Sequence, residues 1–152
     1  MEETQASVYR GIIVARVVVD TNIFFSALTS AESSFAKTML RLENEFFVCE
    51  TTLVEIFEHK EKLVKASHIE SDDMTRLYYL LVKRVQVYKE DLISRENWKA
   101  AYDLCHDIDE TDTPHIALAL ELKAVLWTGD KKLKNKLEEK GFDDFFIPNI
   151  SR

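Results

Sequence analysis

Glycine and proline are scarce in this chain, 3 and 2 among 152 residues. That scarcity excludes flexible linkers and low-complexity segments. No internal repeat is visible, and the length fits one packed domain rather than two. Cysteine is nearly absent as well. Cys49 and Cys105 lie far apart and form no C-x-x-C pair, so they read as core thiols in a reducing cytoplasm. Cys105, His106 and His115 match no usual zinc spacing. Bases are in the minority, with 20 Lys and Arg against 27 Asp and Glu and a net charge of -7. This argues against a general basic surface that grips nucleic acid by displacing counterions. It leaves nucleic acid open as a substrate, because divalent cations held by acids reverse the local sign. Long apolar runs are also missing. The stretch Ile12 to Val19 is interrupted by Arg16, and Glu2 and Glu3 make the leader acidic. Neither a signal peptide nor a membrane span is expected.

What is present is an alternation of strand-like and helix-like segments. RVVVD (16–20) is β-branched and apolar, as suits a central strand buried on both faces. Residues 23–44 carry helical spacing with a break near Thr29 to Ser33, and FFVCE (46–50) reads as the next strand. A helix over 52–66 and another from about Ser71 to Arg84 lead into VQVY (85–88). A further helix spans about Ser94 to His106, and the acidic stretch that follows opens a helix to Leu122. AVLWT (124–128) and FFIP (145–148) read as strands on either side of a lysine-rich helix that Gly141 stops. Strands alternating with helices predict an α/β fold, a parallel sheet with helices on both faces. In such a sheet the ligand site lies beyond the carboxyl ends of the strands.

Two of these strands end in a carboxylate, at Asp20 in VVVD and at Asp130 in VLWTGD. If the strands are neighbours, both acids converge on one crevice. One strand-end Asp alone would be a turn former or helix cap. Asn22 and Thr128 stand two residues from these acids, able to orient a carboxylate or a metal-bound water. Glu55 is the only polar residue among Leu53, Val54, Ile56 and Phe57, and follows the FFVCE strand closely enough to lean over the same edge. In HDIDETDTPHIALAL (106–120), Asp112 is in phase with Ile116 and Ala119 at the head of the apolar stripe. Asp107, Asp109 and Glu110 precede that stripe and read as a solvated turn, with Asp109 a second-rank supporting residue. Asp20, Glu55, Asp112 and Asp130 are therefore candidates for one acidic site. Such a cluster raises its own pKa values unless a hard cation, Mg²⁺ or Mn²⁺, relieves it. Held beside a phosphodiester, such ions activate water for in-line attack.

Other features read more plainly. His115, in the first turn of its helix, could touch a substrate phosphate, but a partly exposed structural histidine is the first expectation. Lys131, Lys132, Lys134 and Lys136 could guide a phosphate backbone toward the acids, but read first as a wet helix face. The pairs Phe24/Phe25, Phe46/Phe47 and Phe145/Phe146 read as core.

The motifs VVVDTN, TTLVEI, DETDTPHIALAL and LWTGDKKL, in this order, resemble those of the PIN-domain family, whose ribonucleases include the toxins of VapBC-type toxin–antitoxin pairs. The resemblance runs from about Val17 to the end. It implies a three-layer α/β/α sandwich with a central parallel sheet of about five strands. It also implies a VapC-like, Mg²⁺- or Mn²⁺-dependent ribonuclease that cuts single-stranded RNA. Asp20, Glu55, Asp112 and Asp130 would be its catalytic and metal-site acids, with Asn22, Thr128 and Asp109 in support. An antitoxin protein and a second copy of the chain would be its partners. Residues 1–14 read as an N-terminal extension and 15–152 as a single nuclease domain. The alternatives are a non-catalytic domain of this fold that binds RNA or protein, and a phosphoacceptor receiver-like domain. The order of motifs fits the receiver poorly.

Overall fold

The computed structural model describes residues 6–9, 12–41, 43–67 and 69–148, with side chains from Ala15 onward. Its centre is a parallel sheet of four strands in the order β5-β2-β3-β4. These are β2 (Ile12–Val19), β3 (Glu45–Cys49), β4 (Val85–Tyr88) and β5 (Val125–Trp127). A short strand β1 (Ala6–Tyr9) folds back antiparallel on the first half of β2, pairing Ala6 with Ala15 and Tyr9 with Ile12. Part of the expected N-terminal extension thus lengthens β2 as a two-stranded ribbon. Residues 1–5, 10 and 11 lie outside the described residues.

The expected fifth parallel strand at 145–148 does not form. Only Phe145 makes a bridge, to Leu126, flanked by bonds from Leu126 N–H to Asp144 and from Phe146 N–H to Leu126. Pro148 has no N–H with which to extend a ladder. Phe145 and Phe146 still alternate as strand residues do, one packing on each side of the sheet.

That alternation builds two cores. Val17 and Val19 of β2, Phe46 and Val48 of β3 and Trp127 of β5 enter one core. It also takes apolar residues of α1 (Thr21–Leu28), α2 (Ser34–Leu40), α3 (Glu50–Glu58) and α5 (Ser71–Arg84). Val18, Phe47, Cys49 and Leu126 enter the other, under α6 (Arg95–Asp109), α7 (Thr113–Leu122) and α8 (Lys131–Glu139). Strands buried on both faces need the near-continuous apolar runs seen in VVV and FFVC. Among the described residues no helix is long and apolar enough to cross a membrane.

Two helix boundaries differ from the sequence reading. Residues 52–66 form two helices, α3 and α4 (Lys60–Ala66), separated at His59 (φ -106°, ψ 12°). The His59 ring packs edge-on to Phe25 of α1, with centroids 6.4 Å apart, a tertiary contact that local propensity does not encode. Helix α6 runs on to Asp109 because its buried stripe continues from Ala101 and Cys105 to Leu104 and Ile108. Asp107 and Asp109 of HDIDE are therefore in the last turn of a helix. One 3-10 turn, Glu110–Asp112, joins it to α7. Asp107 is tied by Lys140, which also donates to the Leu104 carbonyl and so clasps the end of α8 against α6.

Candidate active site

The carboxyl ends of β2 and β5 lie side by side, with Val19 paired to Trp127, and each strand hands its chain to a helix through an aspartate. Asp20 caps α1, its Oδ1 accepting from Ile23 N–H at 2.9 Å. Asp130 caps α8, its Oδ1 accepting from Leu133 N–H at 3.0 Å. Capping is thus no alternative to a site role: one oxygen of each carboxylate satisfies a helix terminus and the other remains. Asp20 is 5% exposed, Asp130 open to solvent.

Helix α3 begins where β3 ends and brings Glu55 over the same edge, half-buried. The 3-10 turn after α6 delivers Asp112, also half-buried. Together with Thr21, Asn22, Asp109, Thr111 and His115, these four acids line one cleft of about 170 Å³. Of the expected supporting residues, Asn22 and Asp109 are on the lining. Thr128 is not on the described lining; its hydroxyl oxygen accepts from the Asp130 N–H at 3.2 Å. Asp109 is exposed and turned to its own loop, where Oδ1 accepts from the N–H and hydroxyl of Thr111 at 3.0 and 2.6 Å. Those bonds hold its pKa below the ordinary carboxylate value.

Neither Lys nor Arg is on the described lining, and the electrostatic consequence falls on Asp112. Burial first, then the negative charges of Asp109, Asp20, Asp130 and Glu55, push its pKa up to about 7. Among the described residues, no group of three or more His, Cys, Asp or Glu side chains is drawn together as a metal-holding set. The donor chemistry nonetheless fits a hard divalent cation: several carboxylates, hydroxyls and an amide, no thiolate on the lining, and negative charge with no cation to balance it. Cys49 and Cys105 are both buried, with burial the main cause raising each thiol's pKa.

Two residues, Thr21 and Thr52, escaped the sequence reading, and a third, His115, is buried more deeply than expected. Thr21, inside DTN, is buried and bonds at once to Thr52, Glu55 and His115. Thr52 is fully buried, and His115 is 4% exposed rather than partly exposed. Their only sequence signal was position: Thr21 beside Asp20, Thr52 one turn before Glu55, and His115 one turn after Asp112.

The sequence matches the PIN domain family over residues 18–140. The chain belongs to the PIN-domain family. That family has a nuclease-type fold. The fold is also similar to that of the crystal structure of PAE2754 from Pyrobaculum aerophilum. The likeness has a TM-score of 0.56 at 18% identity and covers 89% of this chain and 88% of that one. No curated protein matches the sequence. In this PIN domain the family profile spans every one of the four acids, and the cleft lies where a parallel α/β sheet places ligands.

Proposed function

We propose that this PIN domain is a divalent-metal-dependent ribonuclease that hydrolyses phosphodiester bonds of single-stranded RNA. The observation that carries the reading is the convergence of Asp20, Glu55, Asp112 and Asp130, from four separate segments, on one cleft whose described lining holds no Lys or Arg. Asp20, Glu55, Asp112 and Asp130 would hold Mg²⁺ or Mn²⁺. When bound, the ion supplies Lewis acidity and positive charge beside the phosphodiester. The rest belongs to the chain. The capping bonds of Asp20 and Asp130 hold one oxygen of each carboxylate in place. The Thr21 hydroxyl orients Glu55, and Asn22, exposed at the rim, offers its amide to substrate.

We extend the reading to a VapC-like toxin of a type II toxin–antitoxin pair, acting in the cytoplasm as a homodimer. Support for partners comes from exposed apolar side chains on α3 and α5: Phe57, 80% exposed, with Val54, Tyr79 and Leu80. A groove of about 200 Å³ is lined by residues of α3, α4 and α5, Phe57 among them, with Leu28 of α1. Finding a small antitoxin-like reading frame beside the gene would support the toxin role and its absence would count against it, and light scattering in solution tests the dimer.

A second reading has one observation in its favour. The acids share the cleft without forming a ready-made metal-holding group, as would suit a non-catalytic module that binds RNA or protein. Incubating single-stranded RNA with the protein separates the two. The nuclease reading expects cleavage with Mg²⁺ or Mn²⁺, none with EDTA, and loss of at least about a hundredfold in Asp20→Asn and Asp112→Asn. RNA that is bound but never cut, or cut equally by both variants, favours the module.

A further inference from the structure

Thr21 sits at the centre of a buried network whose hydrogen positions are fixed by counting. Its hydroxyl contacts Glu55 Oε1 at 3.1 Å, Thr52 Oγ1 at 3.0 Å and His115 Nε2 at 3.4 Å. A threonine hydroxyl has one hydrogen and two lone pairs. A carboxylate can only accept, so that hydrogen goes to Glu55. The other two partners must then donate to the Thr21 oxygen, Thr52 through its hydroxyl and His115 through Nε2–H. The imidazole is thereby held as the Nε2–H tautomer. Its Nδ1 is left as a bare acceptor, buried and without a hydrogen-bond partner among the described residues. Burial lowers the pKa of His115, in keeping with a neutral ring.

A purely structural residue here has a cheaper solution. The site lies on α7, next to Ile116, Ala117 and Leu118, all fully buried. Phenylalanine would occupy comparable space without stranding a buried nitrogen, which is costly for any fold. What phenylalanine cannot do is donate to Thr21.

We propose that His115 is a positioning residue for Glu55: its Nε2–H, donated to Thr21, commits the Thr21 hydroxyl to Glu55 Oε1 and so fixes that carboxylate on the cleft wall for a divalent cation. The inference rests on the nuclease reading for the cation, while the tautomer and the hydrogen-bond direction stand on the network alone.

The test uses the full chain. Nitrogen NMR of ¹⁵N-labelled protein reads the tautomer directly, and the proposal expects Nε2–H with an unprotonated Nδ1. Calorimetric titration with Mn²⁺ alone then compares wild type, His115→Phe, His115→Gln, Thr21→Val and the Thr21→Val/His115→Phe double variant. Loss of an outer hydrogen-bond partner weakens metal binding about tenfold, and this is expected for His115→Phe. His115→Gln, whose amide can donate from the Nε2 position, is expected to recover to within about threefold. If His115 acts through Thr21, the double variant is no worse than Thr21→Val. Circular dichroism checks that each variant is folded, and His115→Gln carries the test if His115→Phe is not. In that case a loss beyond threefold for His115→Gln overturns the proposal. An Nδ1–H tautomer, additive losses in the double variant, or His115→Phe binding like wild type also overturns it. A wild type that binds no Mn²⁺ overturns the nuclease reading and this role with it.

Discussion

Burial and acidic neighbours raise the pKa of Asp112, and the sign of that shift makes a stability prediction. Its ordinary value is 3.8 and its folded value is about 7. Between those limits the folded chain keeps a proton that the unfolded chain has released, so stability falls as pH rises from about 4 to 7 and stays lowered above. Asp112→Asn removes that cost. Urea denaturation is expected to find the variant more stable by about 1–2 kcal/mol at pH 8, a figure discounted for the solvent-facing part of the carboxyl, with the difference gone near pH 3.5. Equal stabilities at pH 8 would mean that Asp112 is not crowded by its neighbours. Asp112 was legible from the sequence because a residue in phase with an apolar stripe stays close to the sheet. Thr21 and His115 were not legible in this way. Their roles arise from contacts 31 to 94 residues apart in sequence, and neither belongs to a pattern of like residues.

Helix α3 carries Glu55, yet nothing local caps it. Cys49 stands at its N-cap with no side-chain bond. The missing acceptor comes from Glu90, in the 3-10 turn Glu90–Leu92 that follows β4. Its Oε2 accepts from the N–H and hydroxyl of Thr51 at 2.8 and 2.6 Å. Glu50 Oε1 completes the exchange by accepting from Glu90 N–H at 2.9 Å. This reciprocal pairing resembles a capping box closed across 40 residues rather than three. Glu90→Ala is expected to cost about 1–2 kcal/mol and to lower hydrogen-exchange protection at Leu53 to Glu55, while α8 is unaffected. Unchanged protection there would show that the sheet alone holds α3. At this scale the element types were readable from periodicity. The break at His59 and the extension of α6 to Asp109 were not, because one depends on Phe25 and the other on the core beneath Ile108.

Across the whole molecule, sheet and charge divide the work. The sheet brings Asp20 and Asp130 together by pairing β2 with β5, strands distant in sequence. Two buried strands that each end in a carboxylate are the sequence signature of that pairing. The fifth strand had no such marker, since one bridge and Pro148 end it where apolar alternation alone suggested continuation. The net charge of -7 argues against a broad cationic surface for RNA. Exposed Lys131 and Lys132, beside Asp130, are the bases nearest in sequence to a cleft acid on α8. Few phosphates are therefore neutralised by side chains. In Mn²⁺ held constant, the dependence of log affinity for single-stranded RNA on log salt is expected to be no steeper than about -2. A slope near -5 would reveal a broad basic surface and contradict this expectation.

The central claim is that four carboxylates gather to hold a divalent cation in this cleft. Paramagnetic broadening of backbone amide signals by substoichiometric Mn²⁺ tests it most directly, because broadening falls steeply with distance from the ion. The account predicts loss of signal at Thr21, Asn22, Glu55, Thr111 and Asp130, abolished by Asp20→Asn/Asp112→Asn in a chain that remains folded. Broadening centred on the acids outside the cleft, such as Glu58 and Glu61, or none at any residue, would contradict it.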